Sequence, residues 1–261
     1  MKFLALFSFF CFLMQSDLNL VKQFSAPSDF VITDALGTLY SVKGNCITSY
    51  NSNGNKLFSY ANPFLGEISA ADVKNPMRIL LFYKDFNQVI FLSNKLSELG
   101  SPIELDNTGH SQVSICCTSN SGGFWLFDQQ TFQLIHLNSG LEPVQKGTIL
   151  QNIFKNTSEL PVCLVEENDE LYMSLPKTGL LVFDKFGTYQ KTIPIINARN
   201  FQVFTDKIFY FENNYLYSCS KKMEVDSVSL PENLKIISAA ICKNQIVASN
   251  KEELFIFNLQ N

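Results

Sequence analysis

The chain has 261 residues, 46% of them apolar, and a net charge of −4. That length supports a substantial core, and there is no low-complexity run or charge block. Arginine occurs only at Arg78 and Arg199 and the lysines are scattered, so the basic stripe that neutralises phosphates is missing and nucleic acid is not an expected partner.

The N-terminus opens with an almost unbroken apolar run from Phe3 to Met14 behind Lys2. Such a run is too short to span a bilayer and matches the core of a signal peptide. The expected cut lies near Ser16, giving residues 1–16 as the signal and 17–261 as one mature domain. Met14 is a poor fit to the small residue preferred before a cut, and a buried first strand is the alternative. Phe9 and Phe10 precede Cys11, where a lipid-attachment box needs small residues. No later stretch is apolar for long enough to form a transmembrane helix. The protein is therefore expected to be exported, as a periplasmic or envelope-associated monomer.

Downstream, one pattern is written six times. An apolar strand, a polar turn, an aromatic strand and a short polar loop are followed by another apolar strand and a Gly/Asn turn. The second strands align best: Leu39–Val42, Ile79–Tyr83, Phe124–Phe127, Leu171–Leu175, Ile208–Phe211 and Ile246–Ser249. Third strands begin near Ile47, Val89, Phe132, Leu180, Tyr215 and Leu254. First strands precede them at Phe30–Ile32, Ile68–Ala71, Val113–Cys117, Val162–Val165, Phe201–Phe204 and Ile236–Ala240. They are rich in Ala, Ser and Cys, as the crowded inner ring of a propeller requires. Short β-branched and aromatic runs between turns read as hairpins. Self-similarity at about 40 residues points to a propeller or solenoid.

The fourth strands look more exposed, as at Leu57–Tyr60 and Tyr189–Ile193. The last copy has none, and Asn19–Phe24, ahead of the first copy, can supply it. Closing the ring in this way removes the open edges of the array. The expected fold is all-β: a six-bladed β-propeller of four-stranded antiparallel blades, closed by the N-terminal strand.

The cadence Asp34-Ala35-Leu36-Gly37-Thr38-Leu39-Tyr40 followed by Tyr50-Asn51-Ser52-Asn53-Gly54 resembles NHL-type six-bladed propeller repeats. The chain as a whole is similar to uncharacterised exported propeller proteins of Bacteroidetes. That resemblance implies a fold and a compartment but no activity, since propellers host many functions.

Six cysteines follow the apolar leader: Cys46, Cys116, Cys117, Cys163, Cys219 and Cys242. Export permits disulfides, yet all six fall in expected strands without CxxC spacing, so buried free thiols are expected. Cys116 or Cys117 facing Cys163 is the pair that adjacency would allow. Of the two histidines, His136 sits within a third strand and reads as structural. His110 lies between blades 2 and 3 beside Asp106, and is the one acid/base candidate. No GxSxG, HExxH or P-loop pattern occurs, and no metal or cofactor is expected. Asn51–Asn55 reads as a hairpin turn. The acids Glu166, Glu167, Asp169 and Glu170 occupy a first-to-second-strand turn, as do Asp34, Asp72 and Asp206, so turn chemistry explains them. Asn156-Thr157-Ser158 matches a glycosylation acceptor, idle in a bacterium. Trp125 reads as blade packing.

Loops joining second to third strands emerge on the same face as the connections between blades. That face surrounds one mouth of the channel. Its candidate binding residues are Phe64, Lys84, Asp85, Phe86, Asn87, Asp128, Gln129, Lys177, Arg199 and Asn213. Phe64 and Phe86 are apolar residues in loops, which suggests contact with a protein or envelope component. Ile149, Leu150, Ile153 and Phe154 recur at helical spacing, so a short helix is expected there.

The functional expectation is an exported, non-enzymatic binding or scaffold propeller that engages a ligand or partner at this face. One alternative is a hydrolase or lyase acting on a glycan or small ester at the channel, for which Asp85, Asp128 and His110 would need to converge. Another is a structural module of an envelope assembly.

Overall fold

A computed structural model describes residues 18–154, 159–204 and 206–259. The leader, the expected cut and the Asn156 acceptor lie outside the described residues. Among the described residues twenty-four strands form six four-stranded antiparallel sheets. The first, β1 (Asn19–Ser25), belongs to the last blade. Blade 1 is β2 (Phe30–Thr33), β3 (Leu39–Lys43), β4 (Cys46–Tyr50) and β5 (Lys56–Ala61). Blade 2 is β6 (Ala70–Asp72), β7 (Ile79–Tyr83), β8 (Gln88–Leu92) and β9 (Ile103–Glu104). Blade 3 is β10 (Val113–Thr118), β11 (Phe124–Asp128), β12 (Gln133–Leu137) and β13 (Pro143–Lys146). Blade 4 is β14 (Cys163–Glu167), β15 (Glu170–Leu175), β16 (Gly179–Asp184) and β17 (Tyr189–Ile193). Blade 5 is β18 (Phe201–Phe204), β19 (Lys207–Glu212), β20 (Tyr215–Ser220) and β21 (Val225–Ser229). Blade 6 is β22 (Ser238–Cys242), β23 (Gln245–Ser249) and β24 (Glu253–Asn258), completed by β1.

The closure is antiparallel, from Asn19 opposite Asn258 to Ser25 opposite Glu253. Gln23 Nε2 donates to Glu253 Oε1 at 2.9 Å across the same pair. The ring therefore ends without an open strand, and its last hydrogen-bonded ladder joins the two ends of the domain.

The core lies between blades. All five residues of β7 and of β11 are buried, because each middle strand is covered on both faces. One apolar cluster packs Trp125 and Phe127 of blade 3 against Leu171, Met173 and Phe183 of blade 4. Trp125 stacks on His136 at 4.9 Å between ring centroids, and His136 Nε2 lies 2.7 Å from Gly122 O. His136 is structural, as expected. Fourth strands β5 and β21 are mostly exposed, as outer edges should be.

Some expected boundaries move. The inner strands of blades 2 and 6 are Ala70–Asp72 rather than Ile68–Ala71 and Ser238–Cys242 rather than Ile236–Ala240. The expected helix after blade 3 is a single turn, Gln151–Phe154. Leu150 and Phe154 are buried there, and Phe154 stacks on Phe127 at 5.3 Å, so the turn plugs the gap between blades 3 and 4.

Acids in the turns accept backbone N–H groups, as turn chemistry dictates. Asp34 Oδ1 accepts from Leu36, Gly37 and Thr38 at 2.8–2.9 Å, and Tyr40 donates its hydroxyl to Asp34 Oδ2. Asn51 Oδ1 accepts from Asn53 and Asn55 in the hairpin turn.

Candidate functional site

Each inner strand is a sheet edge, so one row of its backbone groups has no strand partner. Those edges converge on an axial channel of about 330 Å3. All six inner strands line it, with Phe30, Ala71, Ile115, Val165, Val203 and Ala240 as its apolar wall. The small residues that marked the first strands in the sequence are what leave this space open.

Two faces enclose it. On one, loops between second and third strands bond to the connections between blades: Ile68 N to Gly44 O, Leu105 N to Asn87 O, Gln129 N to Gln112 O and Leu230 N to Asn214 O. This is the connection face. The other carries the first-to-second and third-to-fourth turns and is the turn face.

At the turn face the channel is braced by side chains. Lys74 Nζ lies 2.8 Å from Glu167 Oε2 and donates to Asn120 Oδ1 at 3.0 Å and Glu166 O at 2.5 Å. All three protons of its ammonium are thereby used. Asp72 Oδ2 accepts the Thr118 N–H at 2.8 Å and its hydroxyl at 2.6 Å. Asn120 N–H donates to Glu166 Oε2 at 3.1 Å. Across the ring, Gln202 Nε2 donates to Thr33 Oγ1 at 3.0 Å, and Gln202 Oε1 accepts from Ile241 N at 2.7 Å. Thr33 Oγ1 donates to Ile241 O at 2.8 Å, and Ser238 Oγ accepts from Val31 N at 3.2 Å. These contacts satisfy edge amides and carbonyls that no strand reaches, and an unpaired buried one is costly.

Cys116 and Cys163 also line the channel. Burial pushes both thiols up, Cys163 to about 12. They stay protonated at neutral pH and are therefore poor nucleophiles. No disulfide forms among the described cysteines, and Cys46 and Cys163 are only partly buried.

His110 Nδ1 lies 2.7 Å from Asp128 Oδ2, and both side chains are buried. Asp128 Oδ1 accepts the backbone N–H of Gln130 at 2.7 Å. Asn87 sits in the left-handed region at φ 50° and donates to Asp106 Oδ1 and His110 O at 2.8 and 2.7 Å. The knot ties blade 2 to blade 3 beneath the connection face. Asp85 is exposed and makes no hydrogen bond to either member of the pair among the described residues. The expected convergence of Asp85, Asp128 and His110 is thus realised for two of the three.

The remaining loop candidates scatter. Phe64 is 81% exposed and Phe86 51% exposed. They come from one sector, since Phe86 packs beside Gly66. Lys84, Lys177, Arg199 and Asn213 are exposed and Gln129 half-buried. Asn87 and Asp128, expected at the surface, are buried because their side chains hold the knot. Neither His110 nor any of the ten loop residues lines the channel. Most of the residues that do come from the inner strands, where only the small ones, such as Ala71, Cys116, Cys163 and Ala240, gave a signal in the sequence.

Among the described residues no group of acids, histidines and cysteines is arranged to hold a metal ion. None of the described helices is long and apolar enough to cross a membrane.

No protein-family model matches the chain, and no curated protein matches it in sequence. Solved structures match it in fold. The β-propeller domain of Myceliophteria thermophila Cps50 (Swd1) is similar with a TM-score of 0.63 at 9% identity, over 94% of this chain and 100% of that one. Virginiamycin B lyase from Staphylococcus aureus is similar with a TM-score of 0.61 at 11% identity, over 94% and 100%. XC5397 from Xanthomonas campestris, a gluconolactonase, is similar with a TM-score of 0.60 at 11% identity, over 85% and 82%. Identities this low speak for fold alone. With the sheet order of its strands, they make this chain an all-β protein of the propeller fold, with six four-stranded blades.

Proposed function

We propose that the protein is a non-enzymatic binding propeller that takes a small, mainly apolar ligand into its axial channel from the connection face. The observation that supports this most is the apolar wall contributed by all six inner strands. Concave apolar sites with a few polar groups are the usual form of a ligand pocket. The turn-face mouth is crossed by the Lys74 and Gln202 contacts, which favours access from the opposite side. The apolar run ahead of the domain supports export, and Phe64 and Phe86 on the connection face support a protein or envelope contact beside the channel.

The test is a fluorescence titration with neutral N-phenylnaphthylamine. Filling the channel with Ala71→Phe is expected to weaken binding about tenfold or more, equivalent to about 1.4 kcal/mol. Unchanged binding in Ala71→Phe removes the channel as the site. Loss in Phe86→Ala with retention in Ala71→Phe moves the site to the outer face.

The second reading is a hydrolase or lyase, favoured by the His110–Asp128 contact. An Asp that orients a histidine is half of an acyl-transfer machine. Against it, His110 Nε2 has no nucleophile as hydrogen-bond partner among the described residues. Turnover of a lactone or glycan that disappears in His110→Ala, with the fold intact, would establish this reading over the first.

A further inference from the structure

Of the two arginines, Arg199 is exposed and Arg78 is half-buried. Arg78 lines a second recess of about 330 Å3 on the turn face between blades 2 and 3. Lys74, Asn75, Thr118, Ser119 and Asn120 share that lining, and no carboxylate does, in a chain of net charge −4. The guanidinium carbon lies 3.7 Å from the centroid of the Phe91 ring, so one flat face is covered. Nη1 donates to Gly123 O at 3.2 Å. No acid pairs with Arg78 among the described residues. Burial alone lowers its pKa.

A cation withdrawn from water without a counter-charge is costly, and such groups are normally paired. Lys74 does not share this condition, because Glu167 neutralises it. Asp72 accepts from Thr118 and from the Lys74 N–H, Glu166 accepts from Asn120, and neither acid lines the recess. A guanidinium has five N–H donors in a planar fork, and Gly123 O takes one of them. The missing partner is one that brings both negative charge and oxygen acceptors.

We propose that the Arg78 recess is a binding site for a small oxyanion, a carboxylate or phosphate group carried by a ligand, with Arg78 as its fork. Asn75 Nδ2, which has no partner among the described residues, is the second donor. This site is separate from the axial channel, with Lys74 as the wall between them.

Calorimetric titration with inorganic phosphate and with acetate, at constant ionic strength in chloride, tests it. Saturable binding of either is expected, weakened about tenfold or more in Arg78→Gln, since charge-assisted bidentate bonds are the strong ones. Lys221→Gln, on the turn face between blades 4 and 5, should leave binding unchanged. Preference for phosphate assigns a phosphate-bearing ligand, and preference for acetate a carboxylate. Equal affinity in wild type and Arg78→Gln, or no saturable binding of either anion, overturns the proposal. Should Arg78→Gln fail to fold, backbone amide shifts in the wild type decide. Shifts centred on Gly123 and Ser119 support the site, and shifts centred elsewhere overturn it.

Discussion

The Lys74 ammonium lies 2.8 Å from the Glu167 carboxylate and thereby joins blades 2 and 4, which are not neighbours in the ring. The bridge passes over blade 3, whose Asn120 accepts from the same ammonium. The Gln202–Thr33 contact does the same for blades 5 and 1, on either side of blade 6. A single side chain, Lys74, thus links three blades at the turn-face end of the channel.

Lys74→Met should therefore cost about 1–2 kcal/mol, more than an isolated surface ion pair, because three acceptors lose their donor. For a chain of this size that is a fall of about 2–8 °C in melting temperature. Calorimetry checks it, and an unchanged transition would mean that the bridge is ornamental.

Deleting residues 19–24 should leave β24 with an open edge. The expected result is a lower melting temperature and concentration-dependent association in sedimentation. A deletion variant that stays monomeric and melts like wild type would refute closure by β1.

Glu170 sets an acid limit on stability. Burial pushes its carboxyl up, but the Tyr172 hydroxyl at 2.7 Å and the Lys221 ammonium at 3.2 Å outweigh burial and hold it below its ordinary value. A carboxyl lowered in the folded state stabilises above its unfolded pKa, about 4.3, and loses that contribution as pH falls through the folded value. Lys221 is raised, mainly by its hydrogen bond to Glu170, so its share persists to alkaline pH and is lost only above the ordinary lysine range. Urea unfolding from pH 6 to pH 3 should fall less steeply in Glu170→Gln than in wild type. Identical slopes would remove this pair from the acid limb.

Gly123 immediately precedes the second strand of blade 3 with φ at +72°, and a Cβ there would stand 1.9 Å from Leu137 O. Gly123→Ala combines a disfavoured backbone with a backbone clash. It should cost more than about 3 kcal/mol, the range of severe strain and overpacking, as read by urea unfolding. Gly44→Ala has open space around it at φ +54° and should cost far less.

Most of the fold was legible because middle strands buried on both faces write continuous apolar runs, as Ile79–Tyr83 does. Closure was legible from a missing strand at one end and a spare one at the other. The outer strands β9, β13 and β21 were not. Pro143–Lys146 and Val225–Ser229 are half polar and exposed, so nothing distinguishes them from loops. The site was harder still. Asn87 read as a surface loop residue, but its left-handed backbone turns the amide inward onto His110 O. Lys74 and Glu167 are far apart in sequence, and no spacing motif announces a contact set by the stacking of blades. In the sequence Arg78 is only one of two arginines, since the lack of a counter-charge is a property of space rather than of sequence.

The pairing of β1 with β24 also orders events in time. The first strand of the domain to leave the ribosome must wait for almost the last before it finds its partner, because Asn19 pairs with Asn258. Contacts so distant in sequence form late and slow folding. Until then the growing ring carries an unsatisfied edge at each end, exposed to any other incomplete chain nearby. A chain that stopped before β24 would keep five complete blades and leave β1 without a partner.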